Sequence, residues 1–241
     1  MPRNVDKNVI RNKVLEDFSF ECLSSEPILD VAVVGGSLDD PEVHKIRDKD
    51  PNVKFCVLGI EDSQVFLDLN ESSSIGHQFD LVLVTNVLEH IYHHENFAKN
   101  LLRLLRDKGT LWCCFPFNDM FHGSPYYYSA GFHPEYVEKL FERNGGIVQK
   151  SRIIASKRCY LFTHLLRDWP SEFRYKHPFL GQIIWGLGLR RNPRPPINNL
   201  SPQRLLKCVY LSLVSKKFTD DPNFGVSSWV KVHAKRSAIG N

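Results

Sequence analysis

The chain has 241 residues, 42% of them hydrophobic, which is one generous domain or one domain with an added lobe. Its N-terminal stretch is charged throughout, and its longest apolar run, residues 179–189, is 11 residues long with Gln182 inside it. The sequence therefore predicts neither a leader nor a bilayer-spanning helix. The formal charge of +4 hides an asymmetry: residues 1–149 carry 14 Lys/Arg against 23 Asp/Glu, and residues 150–241 carry 17 against 4, which suggests two jobs and a boundary near residue 150.

Residues 5–18 have scattered apolar positions and read as a leading helix. Residues 28–34 (ILDVAVV) read as a strand ending at Gly35-Gly36-Ser37, followed by a helix over 41–48 with Asp39 or Asp40 as its cap and Pro41 in its first turn. Strands are expected at 53–60, ending at Glu61-Asp62, and at 65–69, ending at Asp68-Leu69-Asn70. Residues 79–85 (FDLVLVT) are apolar without alternation, as in a central strand covered on both faces. An amphipathic helix is expected over 96–106, stopped by Asp107-Lys108-Gly109, then a strand over 110–115. A helix over 134–143 stops at Asn144-Gly145-Gly146, before a sixth strand at 147–155.

Beyond residue 156, three helical segments (160–166, 179–189, 204–214) surround a basic proline-rich loop at 190–196, and 228–234 alternates like a strand that rejoins the sheet beside the sixth. The expected fold is α/β: a Rossmann-like, doubly wound, mostly parallel seven-stranded sheet, with a helical basic lobe inserted between the last two strands. The expected divisions are a core at 1–156, the insertion at 157–224, and a returning strand and tail at 225–241. Six scattered cysteines, with no CxxC pair and no zinc spacing, point to a reducing, cytoplasmic setting, and adjacent Cys113 and Cys114 read as core.

Four strand ends carry glycine or polar signals: Gly35-Gly36-Ser37, Glu61-Asp62, Asp68-Leu69-Asn70, and Asn86 to His90. In open α/β sheets, ligands bind at that edge. Glycine admits close backbone approach, a carboxylate after the second strand suits a ribose diol, and one after the third suits an adenine amino group. The stretch FDLVLVTNVLEHIYHHENFAKNLLRLLRDKGTLWCCFPF, with Gly59-Ile60-Glu61, Asp68-Leu69-Asn70 and HGSPYYYSAGFHPEYVEKLFERNGG, resembles the class I S-adenosylmethionine-dependent methyltransferases of the VLEH-motif group, over roughly residues 28–155. The glycine motif departs from the family's DxGxGxG: here Asp30 is followed by Val-Ala-Val-Val-Gly-Gly-Ser-Leu-Asp-Asp.

The resemblance implies S-adenosylmethionine as cofactor and S-adenosylhomocysteine as product. Gly35, Gly36 and Ser37 would pass the methionine and ribose, Glu61 and Asp62 would serve the ribose hydroxyls, Asp68 and Leu69 the adenine, and Asn86 the methionine end. Some relatives hold a metal through two acids and the VLEH histidine; with Asn86 in the first acidic position, no metal is expected. Glu89 reads as a helix cap or as the partner of a neighbouring base, and His90 as packing under the site. His93 and His94 read as a solvated helix start. His122 is a candidate general base, and Tyr126, Tyr127 and Tyr128 are candidates for the acceptor pocket.

The basic lobe reads as a solvated cap, as a rim for an anionic acceptor, or, through residues 179–194 with Trp185, Arg190, Arg191 and Arg194, as a peripheral membrane contact. A lipid-linked glycan would satisfy the last two. Nucleic acid is disfavoured, because the basic residues are dispersed and no RNA-binding motif is present. The expected activity is methyl transfer to a small or glycan-like acceptor, anionic or lipid-linked. The alternative is an inactive Rossmann-like protein whose basic lobe binds an anionic partner.

Overall fold

The computed structural model describes residues 5–24, 27–72, 75–118, 127–156, 218–220, 222 and 225–234. The elements are α1 (Val5–Cys22), β1 (Asp30–Val34), α2 (Pro41–Lys49), β2 (Lys54–Gly59), β3 (Val65–Phe66), β4 (Phe79–Thr85), a 3₁₀ turn (Leu88–His90), α3 (His94–Arg103), β5 (Leu105–Pro116), α4 (Pro134–Arg143), β6 (Gly146–Ala155) and β7 (Gly225–Ala234). The chain divides into two compact units: Val14–Ile153 with Ser227–Asn241, and Met1–Lys13 with Ile154–Val226. In the second of these, Thr219 donates its N–H to the carbonyl of Ala155 at 3.1 Å.

Seven strands form one sheet in the order β3-β2-β1-β4-β5-β7-β6. The pairs β3–β2, β2–β1, β1–β4 and β4–β5 are parallel, and β7 runs antiparallel to β5. The sheet is therefore mixed: four of these five pairs are parallel, and β7 brings in an antiparallel one. No crossover helix is needed to lay β7 beside β5 in the reverse direction, and antiparallel strands share a sheet with parallel ones at such margins. β7 also sits between β5 and β6, so it neighbours the sixth strand from the inner side. The three helices expected in the inserted lobe lie outside the described residues, as does most of the lobe.

The central strands are buried as their unbroken apolar runs require: Val31 to Val34 and Leu81 to Val84 are each almost completely covered. Phe97, Ala98 and Leu101 of α3 and Val137, Leu140 and Phe141 of α4 pack into the same core. Phe18 of α1 lies 5.4 Å from the ring of Trp112, which stacks on Trp229 of β7 at 4.6 Å. Asp17 of α1 accepts the indole N–H of Trp229 at 3.0 Å and a hydrogen bond from Arg152 at 3.0 Å, which satisfies a buried donor.

The boundary between α3 and β5 differs from expectation. α3 ends at Arg103, three residues before its expected end at 106, and β5 begins at Leu105. The register runs from Phe79↔Leu105 to Leu81↔Thr110, so residues 106–109 bulge out of the strand. Lys108 has φ +65°, and a Cβ on Gly109 would stand 2.9 Å from the carbonyl of Phe79. Leu104 and Leu105 are buried in this arrangement. Helix-like spacing of apolar residues cannot distinguish that burial from a longer helix.

Candidate functional site

Register fixes which strand ends meet. Val34 pairs with Leu58 and with Val84, Gly59 with Phe66, and Thr85 with Cys114. One residue further on, Gly35 follows β1, Ile60 and Glu61 follow β2, Leu67 and Asp68 follow β3, and Asn86 follows β4. Gly35, Glu61, Asp68 and Asn86 thus come together along the carboxyl edge, as expected. The β3 ladder closes after two residues, not five, and Leu67 to Asn70 turn inward as a loop.

The first strand end is shaped by backbone. Gly35 has φ +65°, and a Cβ there would meet Cγ2 of Val87 at 2.7 Å, so a side chain is excluded by conformation and by space. Its N–H donates to the carbonyl of Leu58 at 2.8 Å. A Cβ on Gly36 would meet Oδ2 of Asp40 at 2.3 Å. Asp40 occupies the N-cap position of α2, yet its side chain caps no helix N–H. The carboxylate instead accepts the N–H of Ser37 at 3.1 Å and closes the Gly-Gly-Ser loop from within.

Asp30 stands at the other end of β1. It shares the Arg106 guanidinium with Asp80, whose Oδ1 lies 2.9 Å from Nη1. Asp80 also accepts the N–H groups of Leu29 and Asp30 at 3.0 and 2.9 Å. Asp30 is therefore a foundation of the sheet's amino edge, and with Gly35 as the first glycine of the DxGxGxG pattern, the acid's position two residues earlier is held here by buried Val33. Burial raises the Asp80 carboxyl, but its two backbone hydrogen bonds and Arg106 outweigh that and hold it below the ordinary carboxylate range.

Glu61 and Asp62 are exposed, and neither carboxylate has a hydrogen bond or ion pair among the described residues. Asp62 has φ +48° and Asn86 φ +54°, left-handed conformations that Asp and Asn tolerate better than other side chains. The N–H of Asn86 donates to the carbonyl of Cys114 at 2.9 Å, which ties the end of β4 to β5 and leaves the Asn86 side chain exposed.

Asp68 is half-buried and Leu69 buried. Oδ1 of Asp68 accepts the N–H of Asn70 at 2.9 Å, an Asx turn that sets the loop. Asn70 is a residue that sequence reasoning quoted but did not place in the site. Its side-chain oxygen accepts the N–H of Tyr92 at 2.9 Å and of His93 at 3.2 Å, and its carbonyl accepts Nδ2 of Asn96 at 2.6 Å. The signal was its position directly after Asp68-Leu69.

Glu89 and His90 lie in the 3₁₀ turn rather than starting α3, whose N-cap is His93. Glu89 is buried, with Oε1 4.0 Å from Nε2 of His90. Its carbonyl accepts the N–H groups of Tyr128 and Ser129 at 2.9 and 3.3 Å, which fastens the segment after β5 to the VLEH turn. Gly131 completes that segment: a Cβ would fall 2.4 Å from the carbonyl of Phe117. The Tyr127 ring meets His90 edge-on at 6.2 Å, and the half-exposed Tyr128 meets Tyr92 at 5.4 Å. His122 and Tyr126 lie outside the described residues.

His94 is not a solvated helix start. Its Nε2 lies 3.1 Å from the carbonyl of Ile91, which can only accept, so Nδ1 is bare and accepts the hydroxyl of Tyr136 at 2.6 Å. Burial holds this imidazole below its ordinary pKa, against the pull of the Ile91 carbonyl. Among the described residues no group of three His, Cys, Asp or Glu comes together as a metal site, and no helix is long and apolar enough to cross a membrane.

Residues 25–113 match a family model described as a methyltransferase domain. No curated protein matches the chain. Among solved structures, it is similar to the O-methyltransferase of a trans-AT polyketide synthase multienzyme of Brevibacillus brevis, in complex with S-adenosyl-L-homocysteine: TM-score 0.55, 15% identity, 95% of this chain and 73% of that one. It is similar to coclaurine N-methyltransferase, bound to N-methylheliamine and S-adenosylhomocysteine, with TM-score 0.52, 11% identity, and 92% and 70% covered. The [4+2]-cyclase SpnF matches with TM-score 0.53, 9% identity, and 94% and 81% covered. The shared fold thus serves more than one chemistry, and the particular chemistry lies in the site.

Proposed function

We propose that this chain, whose residues 25–113 match a methyltransferase-domain model, binds S-adenosylmethionine at the carboxyl edge of β1, β2, β3 and β4 and transfers its methyl group to a small or glycan-like acceptor, anionic or lipid-linked. The observation that carries the reading is the convergence of the Gly35 cradle, where no Cβ fits, with two exposed carboxylates after β2 and an inward acidic turn after β3.

The donor set fits the cofactor. The bare backbone of Gly35 and Gly36, with Ser37, admits the ribose and methionine closely. Glu61, with Asp62 beside it, accepts hydrogen bonds from the ribose diol. Asp68 accepts the adenine amino group while Leu69 supplies an apolar wall. Asn86 presents its amide to the methionine end. The bound cofactor supplies a methyl group already activated on a sulfonium, so the chain's task is to align the acceptor and exclude water.

Tyr128, whose N–H the Glu89 carbonyl accepts, and Tyr127 before it line the acceptor side in this reading, with Tyr126 next to them in sequence. His122 is the base proposed to take a hydroxyl's proton. The excess of Lys/Arg beyond residue 150 favours an anionic acceptor, and the apolar-then-basic run at 179–194 favours one presented at a membrane surface.

Calorimetric titration with S-adenosylhomocysteine tests this. Micromolar binding to the parent, lost in Glu61→Ala and Asp68→Ala, is the expected result, and an acceptor screen of anionic glycans and lipids then follows. Binding with no turnover on any acceptor would favour the inactive, anion-binding alternative, which draws on the missing acid and single φ-positive glycine of the β1 loop. No binding to folded parent protein would remove the methyltransferase reading.

A further inference from the structure

Two loops meet at the site without sharing any strand: the turn after β3, with Asp68 and Leu69, and the Ile91–His93 segment before α3. The N–H groups at the start of a helix have no partner inside it and need one elsewhere. α3 begins at His94, and its N-cap residue His93 offers no side-chain cap. Asn70 supplies the partner from a different loop. Its Oδ1 takes the N–H groups of Tyr92 and His93, and its carbonyl takes the Asn96 amide. The residue is 7% exposed, so these bonds are made away from competing water. Nδ2 of Asn70 donates to nothing among the described residues.

The chain of contact continues in both directions. Toward β3, the N–H of Asn70 is held by Asp68, the residue assigned to the adenine. Toward the acceptor side, the Tyr92 ring packs on Tyr128 at 5.4 Å, in the segment fastened by Glu89. We infer that Asn70 is a positioning residue that couples the adenine turn to the aromatic acceptor segment, so that filling the first orders the second. This rests on the cofactor reading above. It assigns Asn70 no contact with the cofactor or acceptor.

The chemistry gives a selective test, because only the acceptor oxygen of the side chain is used. Asn70→Asp keeps that oxygen and the volume, whereas Asn70→Ala removes both. Losing two hydrogen bonds should weaken S-adenosylhomocysteine binding about tenfold in Asn70→Ala, with Asn70→Asp within about threefold of the parent. Amide exchange measured by NMR supplies the readout that a purely structural role would not move. In the parent, S-adenosylhomocysteine should slow exchange at Tyr92 and His93 as well as at Ile60 and Glu61. In Asn70→Ala at saturating ligand, the response at Ile60 and Glu61 should remain and that at Tyr92 and His93 should vanish, and Asn70→Asp should restore it.

An equal response at Tyr92 and His93 in Asn70→Ala, or an Asn70→Asp protein that behaves as the alanine variant, overturns the coupling. So does a parent that responds at Ile60 and Glu61 but not at Tyr92 and His93, and there the cofactor reading stands. A parent that shows no response anywhere takes down the cofactor reading and this one together.

Discussion

At the amino edge of the sheet, Asp30 and Asp80 share the Arg106 guanidinium, and Asp80 takes two backbone N–H groups besides. At the carboxyl edge, Glu61 and Asp62 lie exposed, and no hydrogen bond or ion pair holds either carboxylate among the described residues. Among the described residues, two of the three non-glycine residues with left-handed backbones, Asp62 and Asn86, also lie at the carboxyl edge. The two edges use the same side-chain chemistry to different ends. Asp30 and Asp80 are saturated by the chain itself, whereas Glu61 and Asp62 keep their acceptor capacity unused, Asp62 on left-handed backbone.

The sharpest way to break this contrast is at Gly35. Gly35→Val forces a side chain onto Val87 in a left-handed conformation; it should abolish S-adenosylhomocysteine binding and cost about 2 kcal/mol of stability, read by denaturant titration. Next comes Glu61→Ala. Removing the carboxylate proposed to accept the two ribose hydroxyls should weaken S-adenosylhomocysteine binding by about 30- to 100-fold in calorimetry. The thermal midpoint should stay within about 2 °C, because the carboxylate does nothing for the fold. Arg106→Met should invert that outcome: the thermal midpoint falls while the affinity for S-adenosylhomocysteine is unchanged.

The smallest effects are in pH. Asp80 is held below its ordinary value of 3.8, so its contribution is complete above that pH and is lost as the pH falls through its lower folded value. Arg106→Met should therefore flatten the stability profile below pH 3.8. His94 is held below 6.5, so the unfolded chain takes up the proton first, and stability should decline as the pH drops below 6.5 towards the lower folded value. A His94→Gln variant should lose that slope in a denaturant series across the same range.

Much of the fold was legible because its central strands are unbroken apolar runs. β4 at 79–85 and α4 at 134–143 lie where the pattern placed them. The end of α3 was misread, since Leu104 and Leu105 are buried whether they extend a helix or open a strand. The strand ends of the site were legible from Gly35, Glu61, Asp68 and Asn86, whose polarity follows directly on apolar runs. The tertiary ties were not. Nothing local marks Asp40 as turning back on Ser37, Asn70 as capping a helix some twenty residues ahead, or His94 as accepting from Tyr136.

The central claim, that the carboxyl edge takes the ligand and the amino edge only carries the fold, is tested most directly by a mass-spectrometric hydrogen-exchange footprint of the full chain with and without S-adenosylhomocysteine. Protection is predicted over residues 35–37, 60–62, 68–70 and 86–87, with no change over 29–30, 77–80 and 105–108. Protection at the amino edge with the carboxyl edge unchanged, or no protection at either, would contradict it.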